Sequence, residues 1–277
     1  MTIKDIGIHV DHTEQSKVRI KTGFELAKRL GANVTALYCQ PEAQLPSYSG
    51  YPIAITIIDQ LDKTIEQQAN EAQALFDEVA ANYEVQSSWR KTHGDVIQNI
   101  ALESRIFDLI ILGQAHPDHN QGETSRIVDH ILLEAGRPCL VLPYTYQDQE
   151  FGRNSLITWN GSRESSRAIH DALPLLKLGD KALLVVSDPS KTSFSKVDMP
   201  GTLMASHLAR HDIEVELKLS YSDDIKTSEN LLSLACDEGA DMIVMGAYGH
   251  SRFRELVLGG MTREILSSMT VPVFMSH

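Results

Sequence analysis

The strongest constraint on the fold is an internal duplication. Three pairs of segments share one pattern in the same order: 3–11 with 155–160, 107–113 with 240–246, and 137–142 with 270–275. The first pair reads as a buried strand that ends in Asp11 or in Asn160. Three matching landmarks in one order indicate two copies of one structural unit. We predict domains at 1–144 and 153–277, joined by a short polar linker.

Each copy alternates apolar runs with helical patterns, and the apolar runs are almost continuous in Val, Ile and Leu. Such runs are typical of strands buried on both faces, and βα alternation predicts a doubly wound parallel sheet. The predicted fold is α/β, with two tandem five-stranded Rossmann-like domains. Predicted strands lie near 3–10, 33–39, 85–92, 109–113, 139–142, 155–159, 181–187, 213–220, 241–246 and 271–275. Ligands bind such sheets at the carboxyl ends of the strands, where strand order reverses, here between strands one and four.

Charge and composition limit the kinds of partner and the cellular location that we expect. The net charge is −12, so the chain repels nucleic acid and anionic membrane surfaces. The apolar runs are shorter than a bilayer span, and Met1–Asp5 has no signal-like core, so we expect a cytoplasmic protein. Three widely spaced cysteines argue against a disulfide framework.

The segment 246–262 is the candidate ligand-binding loop. It leaves the fourth strand of the second copy through Gly246 and Gly249, and it enters a helix after Gly259 and Gly260. Glycines let the backbone approach a ligand closely, and the free N–H groups of a helix start favour an anion. Thr262 adds a hydroxyl group. This placement predicts a phosphate site; the alternative is a tight strand exit followed by a glycine helix start.

The segment resembles the signature of the universal stress protein family, G-x-x-G, nine residues, then G and Ser or Thr. Gly246, Gly249 and Gly259 match it, and the resemblance covers both copies. It implies an ATP-type adenine nucleotide held by a glycine loop, with the adenine near the ends of the first two strands. The residues implied as nucleotide-binding are Asn160, Val186, Gly246, Gly249, Gly259, Gly260, Met261 and Thr262.

Two departures from the family pattern weaken this site. Gly260 stands where binding members carry Ser or Thr, and losing one hydrogen bond costs about 0.5–1.5 kcal/mol. Asn160 stands where many members carry Asp, which weakens the case for bound magnesium. The first copy departs further, because His116 replaces the second glycine. We expect that copy to bind nucleotide weakly or not at all.

A second cluster of chemically active residues falls in the first copy. Asp11, His12, His116 and His119 follow strands one and four, which we expect to be neighbours. Imidazole and carboxylate are suitable zinc ligands, so these four residues form a candidate zinc site. The alternative is that they are ordinary residues of exposed loops.

The first copy also carries an insertion. The segment 41–52 is rich in Pro, Tyr and Gly, and it follows the second strand. An apolar loop at this edge acts either as a lid over a ligand pocket or as packing between the two copies.

Catalytic motifs such as G-x-S-x-G and H-E-x-x-H are missing from the sequence. We therefore predict a nucleotide-binding stress-response protein with no catalytic role. The alternatives are a nucleotide-independent interaction or scaffold protein and a weak ATP hydrolase. By family resemblance, the two domains pair through their last strands as an intramolecular pseudo-dimer, and a homodimer remains open.

Overall fold

The structure is a computed structural model. It describes residues 2–42, 54–115, 123–147, 149–189, 199–222, 225–249 and 260–277. The first half contains β1 (Asp5–Val10), α1 (Gln15–Leu30), β2 (Asn33–Gln40), α2 (Ala54–Ala80), β3 (Ser87–His93), α3 (Val96–Ser104), β4 (Leu109–Gly113), α4 (Glu123–Glu134) and β5 (Cys139–Leu142). The second half contains β6 (Asn154–Thr158), α5 (Arg163–Leu176), β7 (Lys181–Ser187), α6 (Thr202–Ala209), β8 (Val215–Ser220), α7 (Thr227–Asp237), β9 (Met242–Gly246), α8 (Gly260–Ser268) and β10 (Val273–Ser276).

The strands form one ten-stranded sheet in the order β3-β2-β1-β4-β5-β10-β9-β6-β7-β8. Within each half all neighbouring strands are parallel. The predicted doubly wound α/β fold is confirmed, as is the pairing of strands one and four, with Ile6 opposite Leu109 and Ser155 opposite Met242.

The two halves meet at their last strands. β5 and β10 pair antiparallel, with Val141 opposite Val273 and Cys139 opposite Met275. The carboxyl ends of the parallel strands therefore point in opposite directions in the two halves. A ligand site at the carboxyl edge of one half lies at the opposite edge of the common sheet from its counterpart.

Burial follows from the strand sequences. The four residues of β5 and the first four residues of β9 are buried, as expected for strands covered by helices on both faces. Helix termini also follow local chemistry. Ser162 caps α5 by accepting a hydrogen bond from the Ser165 amide at 3.1 Å, and α1 ends at Gly31, whose φ of 61° favours glycine.

Four features that were predicted from the sequence lie outside the described residues. They are His116, His119, Gly259 and nearly all of the 41–52 insertion, of which Pro41 and Glu42 are described. Both explanations of the insertion therefore remain predictions. Among the described helices, none is long and apolar enough to cross a membrane.

Candidate functional site

A cavity of about 220 Å³ lies in the second half, at the carboxyl ends of β6, β7 and β9. This is the position where the strand order reverses, because β6 pairs with β7 on one side and with β9 on the other. The cavity is lined by Thr158, Trp159, Asn160, Ser162, Glu164, Ser165, Val185, Ser187, Asp188, Thr227, Met245, Gly246, Gly249 and Met261. It therefore brings together Asn160, Gly246, Gly249 and Met261 of the predicted site.

The two glycines of the β9 exit have different roles. A Cβ atom on Gly246 would lie 2.5 Å from the amide nitrogen of Ser165, so glycine is needed for β9 to end against the first turn of α5. A Cβ atom on Gly249 would lie 3.5 Å from Oε2 of Glu164 and 4.0 Å from Oγ of Ser162. Position 249 therefore has room for a side chain, and that side chain would occupy the cavity.

The start of α8 also contributes to the cavity wall. Met261 lines the cavity, and Gly260 is exposed, with space around a Cβ atom built there. Thr262 has a different environment from the one predicted. It is buried, and its hydroxyl accepts a hydrogen bond from the Tyr248 amide at 3.2 Å. Its hydroxyl thus joins the start of α8 to the β9 exit.

Val186 of β7, a predicted site residue, is not among the residues that line the cavity. Val186 is fully buried and lies next to Gly201, where a Cβ atom would be 2.9 Å from its Cγ2. Because side chains alternate along a strand, Val185 and Ser187 line the cavity instead. Asn160 also lines the cavity, and its Oδ1 accepts a hydrogen bond from the Ser162 amide at 3.0 Å.

Two carboxylates in the cavity wall were missed by sequence reasoning. Asp188 is buried with a φ of 44°, and it accepts hydrogen bonds from the amide of Ser222 at 3.0 Å and from the Thr227 hydroxyl at 3.3 Å. Burial acts to raise the pKa of Glu164, but the Arg163 guanidinium, whose Nε lies 2.7 Å from the carboxylate, holds that pKa below its usual value. Both side chains can accept hydrogen bonds from a ligand.

The corresponding region of the first half is filled by Arg19. Its Nη2 lies 2.7 Å from Oδ2 of Asp11, and its Nε donates to the His9 carbonyl at 2.9 Å. A Cβ atom on Gly113 would lie only 2.5 Å from Nη1 of Arg19. Arg19 is 4% exposed, so its side chain occupies the space between the ends of β1 and β4.

The predicted zinc site is not supported. Burial acts to raise the pKa of Asp11, but Arg19 holds that pKa well below its usual value, because the carboxylate already has a cationic partner. Asp11 also accepts hydrogen bonds from the Thr13 amide and the Ser16 hydroxyl. His12 is exposed, and the described part of the chain holds no metal-binding group of three His, Cys, Asp or Glu residues.

The fold and the cavity define the class: an α/β protein of two tandem Rossmann-like units. A family model described as "Universal stress protein family" matches residues 2–143 and 153–277, and the chain therefore belongs to the universal stress protein family. The curated Universal stress protein Slr1230 of Synechocystis sp. is 28% identical over 172 residues. That match covers 60% of this chain and 57% of the relative, so less than two thirds of the relative's length is spanned.

Solved structures of the family resemble the whole chain. A universal stress protein from Archaeoglobus fulgidus superposes with a TM-score of 0.75 at 16% identity, covering 99% of this chain and 96% of that one. A putative universal stress protein from Pseudomonas aeruginosa gives 0.64 at 15% identity, covering 99% and 93%. At this level of identity the likeness establishes the shared fold.

Proposed function

We propose that the protein is a nucleotide-binding stress-response protein, which binds an adenine nucleotide of the ATP type in the cavity of the second half and has no catalytic role. The observation that carries the proposal is the position of the cavity. It lies where strand order reverses, between the Gly246–Gly249 exit and the starts of α5 and α8. Doubly wound proteins bind small ligands at this position.

The phosphates would lie near the start of α8. The first N–H groups of a helix lack partners within the helix, and the helix dipole attracts an anion there. Gly260 leaves this start open on its outer side. In this arrangement the phosphates would be enclosed by Gly249, Gly260 and Met261. Gly259 remains a predicted member of the same loop.

The nucleoside would lie between the ends of β6 and β7. Trp159, Val185 and Met245 provide apolar surface for a base, and Asn160 and Asp188 provide polar atoms beside it. A carboxylate accepts hydrogen bonds from a ribose hydroxyl or an amino group. We propose Val185 and Ser187 as the strand-two contacts in place of Val186.

One observation favours the alternative of a nucleotide-independent interaction protein. Glu164 and Asp188 bring two carboxylates to the cavity wall, and both would repel a polyphosphate. A ligand with fewer phosphates suffers less from this repulsion. If the two carboxylates repel the phosphates, affinity should decrease from AMP to ADP to ATP. Weak ATP hydrolysis remains the third candidate.

The two halves, with proposed boundaries 1–144 and 153–277, would form an intramolecular pseudo-dimer. The antiparallel pairing of β5 with β10 supports this arrangement. Because each half gives its last strand to that contact, a homodimer would have to use another surface. Light scattering on the purified chain separates the monomer from the homodimer.

The test combines two measurements on the full chain. Mass spectrometry identifies small molecules released on denaturation, and calorimetry measures the affinity for ATP, ADP and AMP. Trp159 lines the cavity, so a Trp89→Phe variant has one tryptophan left, and its fluorescence reports on ligand entry. Saturable binding with a fluorescence change supports the proposal. No binding of any adenine nucleotide would leave the interaction-protein alternative standing.

A further inference from the structure

Tyr248 directly precedes Gly249 in the cavity wall, and its backbone is unusual for a tyrosine. Its φ is 54°, in the left-handed region that bulky side chains rarely adopt. Such a conformation persists only where the surrounding contacts hold it in place. The contacts of Tyr248 therefore determine the path by which the chain reaches Gly249.

Two hydrogen bonds within the second half hold the backbone at and next to Tyr248. The Tyr248 amide donates to the Thr262 hydroxyl at 3.2 Å, which ties the loop to α8. Next to it, the carbonyl of Ala247 lies 2.8 Å from Nδ1 of His277. Both fix the backbone around Tyr248, and neither involves its phenol group.

The phenol hydroxyl is held by the first half, while the ring lies edge-on to the His277 ring of the second half, with centroids 6.4 Å apart. The hydroxyl donates to Oδ1 of Asp129 in α4. Tyr248 is 5% exposed, and a buried tyrosine hydroxyl needs an acceptor because it has lost its water partners. Burial and the nearby carboxylate both raise the pKa of Tyr248, so the hydroxyl keeps its proton and remains a donor.

We propose that Asp129 is a positioning residue for the cavity of the second half. It acts through Tyr248 and holds the segment Gly246–Gly249 on the path that keeps the cavity open to a nucleotide. The inference rests on the proposed function. It means that the binding site of the second half is complete only when the first half is docked beside it.

Other hydrogen bonds between the halves provide a control. Arg167 in α5 donates from Nη2 to the Gly136 carbonyl at 2.7 Å, and neither Arg167 nor Gly136 lines the cavity. Losing this bond weakens the contact between the halves and leaves the Tyr248 anchor in place. Arg167→Ala therefore separates general loosening of the interface from displacement of the loop.

The first measurement is ATP affinity by calorimetry on the full chain. Tyr248→Phe and Asp129→Ala should each weaken binding by about 3- to 10-fold, the effect of one hydrogen bond. The double variant should be no weaker than either single variant, because both remove the same bond. Asp129→Asn keeps an acceptor oxygen and should stay within about twofold of wild type, as should Arg167→Ala.

The second measurement needs no ligand. Hydrogen exchange of the peptide 242–249 should be at least about fivefold faster in Asp129→Ala and in Tyr248→Phe than in wild type, and unchanged in Arg167→Ala. If wild type binds no ATP, the proposed function fails, while exchange still decides whether Asp129 positions the loop. Unchanged exchange in Asp129→Ala, or an equal loss of affinity in Arg167→Ala, overturns the inference.

Discussion

The guanidinium of Arg19 and the carboxylate of Asp11 lie 2.7 Å apart in the first half, in the region that corresponds to the cavity of the second half. Asp11 is the counterpart of Asn160, which lines that cavity. One half thus fills its strand-end region with its own cation, whereas the other leaves it open.

Arg19→Ala should destabilise the protein by about 3 kcal/mol, because breaking a buried ion pair leaves a carboxylate without its cation. Urea unfolding monitored by circular dichroism measures the change. Lys17→Ala is the matched control, since the Lys17–Glu78 pair is exposed at 3.6 Å and should contribute less than about 1 kcal/mol. A loss no larger for Arg19→Ala than for Lys17→Ala would contradict the structural role of Arg19.

Gly249→Val should abolish detectable ATP binding, because its side chain would fill the cavity beside Glu164 without meeting backbone atoms. His116→Ala, at the corresponding position of the first half, should leave the affinity unchanged. Calorimetry with the unfolding temperature of each variant separates lost binding from lost folding. The reverse pattern would move the site to the first half.

Gly260→Ser should tighten ATP binding by about 3- to 10-fold, because the new hydroxyl can donate to a phosphate at the start of α8. Gly260→Ala is the control. It adds the same Cβ atom into open space but carries no hydroxyl, so its affinity should match wild type. Equal affinities for the two variants would mean that position 260 does not face a phosphate.

His9 should make stability depend on pH. Burial lowers the pKa of His9 to about 4, an effect to which Arg19 adds and which Asp11 opposes. The unfolded chain, with a pKa near 6.5, therefore binds the proton first, so stability falls as the pH decreases from about 6.5 to about 4. The full loss is about 3 kcal/mol.

Chemical denaturation at pH 7, 5.5 and 4.5 tests this dependence. His9→Gln should flatten the decline over that range, whereas His12→Gln, at the exposed neighbouring histidine, should retain it. The lowered pKa of Asp11 affects stability at more acidic pH, because its contribution is lost as the pH falls from the ordinary aspartate pKa of about 4 downward. A decline equally steep in His9→Gln would assign the dependence to other groups.

Sequence reasoning predicted the fold well, because continuous apolar runs such as β9 leave few alternatives to buried parallel strands. Within the candidate site, two predicted residues, Val186 and Thr262, have side chains directed elsewhere than spacing suggested. Successive side chains of a strand point to opposite faces. An error of one residue along β7 therefore exchanges Val185, which lines the cavity, for Val186, which does not. The Thr262 hydroxyl could be assigned to a ligand from spacing alone, yet it meets the Tyr248 amide.

Residues that meet only through the tertiary fold were missed. The sequence of α1 does not show which group Arg19 reaches, and the sequence after β7 does not show that Asp188 takes a φ of 44° and is buried. The available signal was the position of Arg19 beside Ile20 and Phe24, on the face of α1 that the structure buries. A buried arginine needs an anionic or hydrogen-bonding partner, and Asp11 at the end of β1 is that partner in the structure.

The pairing of β5 with β10 has a consequence for synthesis on the ribosome. Leu142 emerges about 130 residues before Val273, which contributes to the strand that covers β5. At translation rates of roughly 5–20 residues per second, the nascent first half waits on the order of ten seconds with an apolar edge strand uncovered. An open edge of this kind invites pairing with other chains, so completion of β10 protects the newly made protein from aggregation.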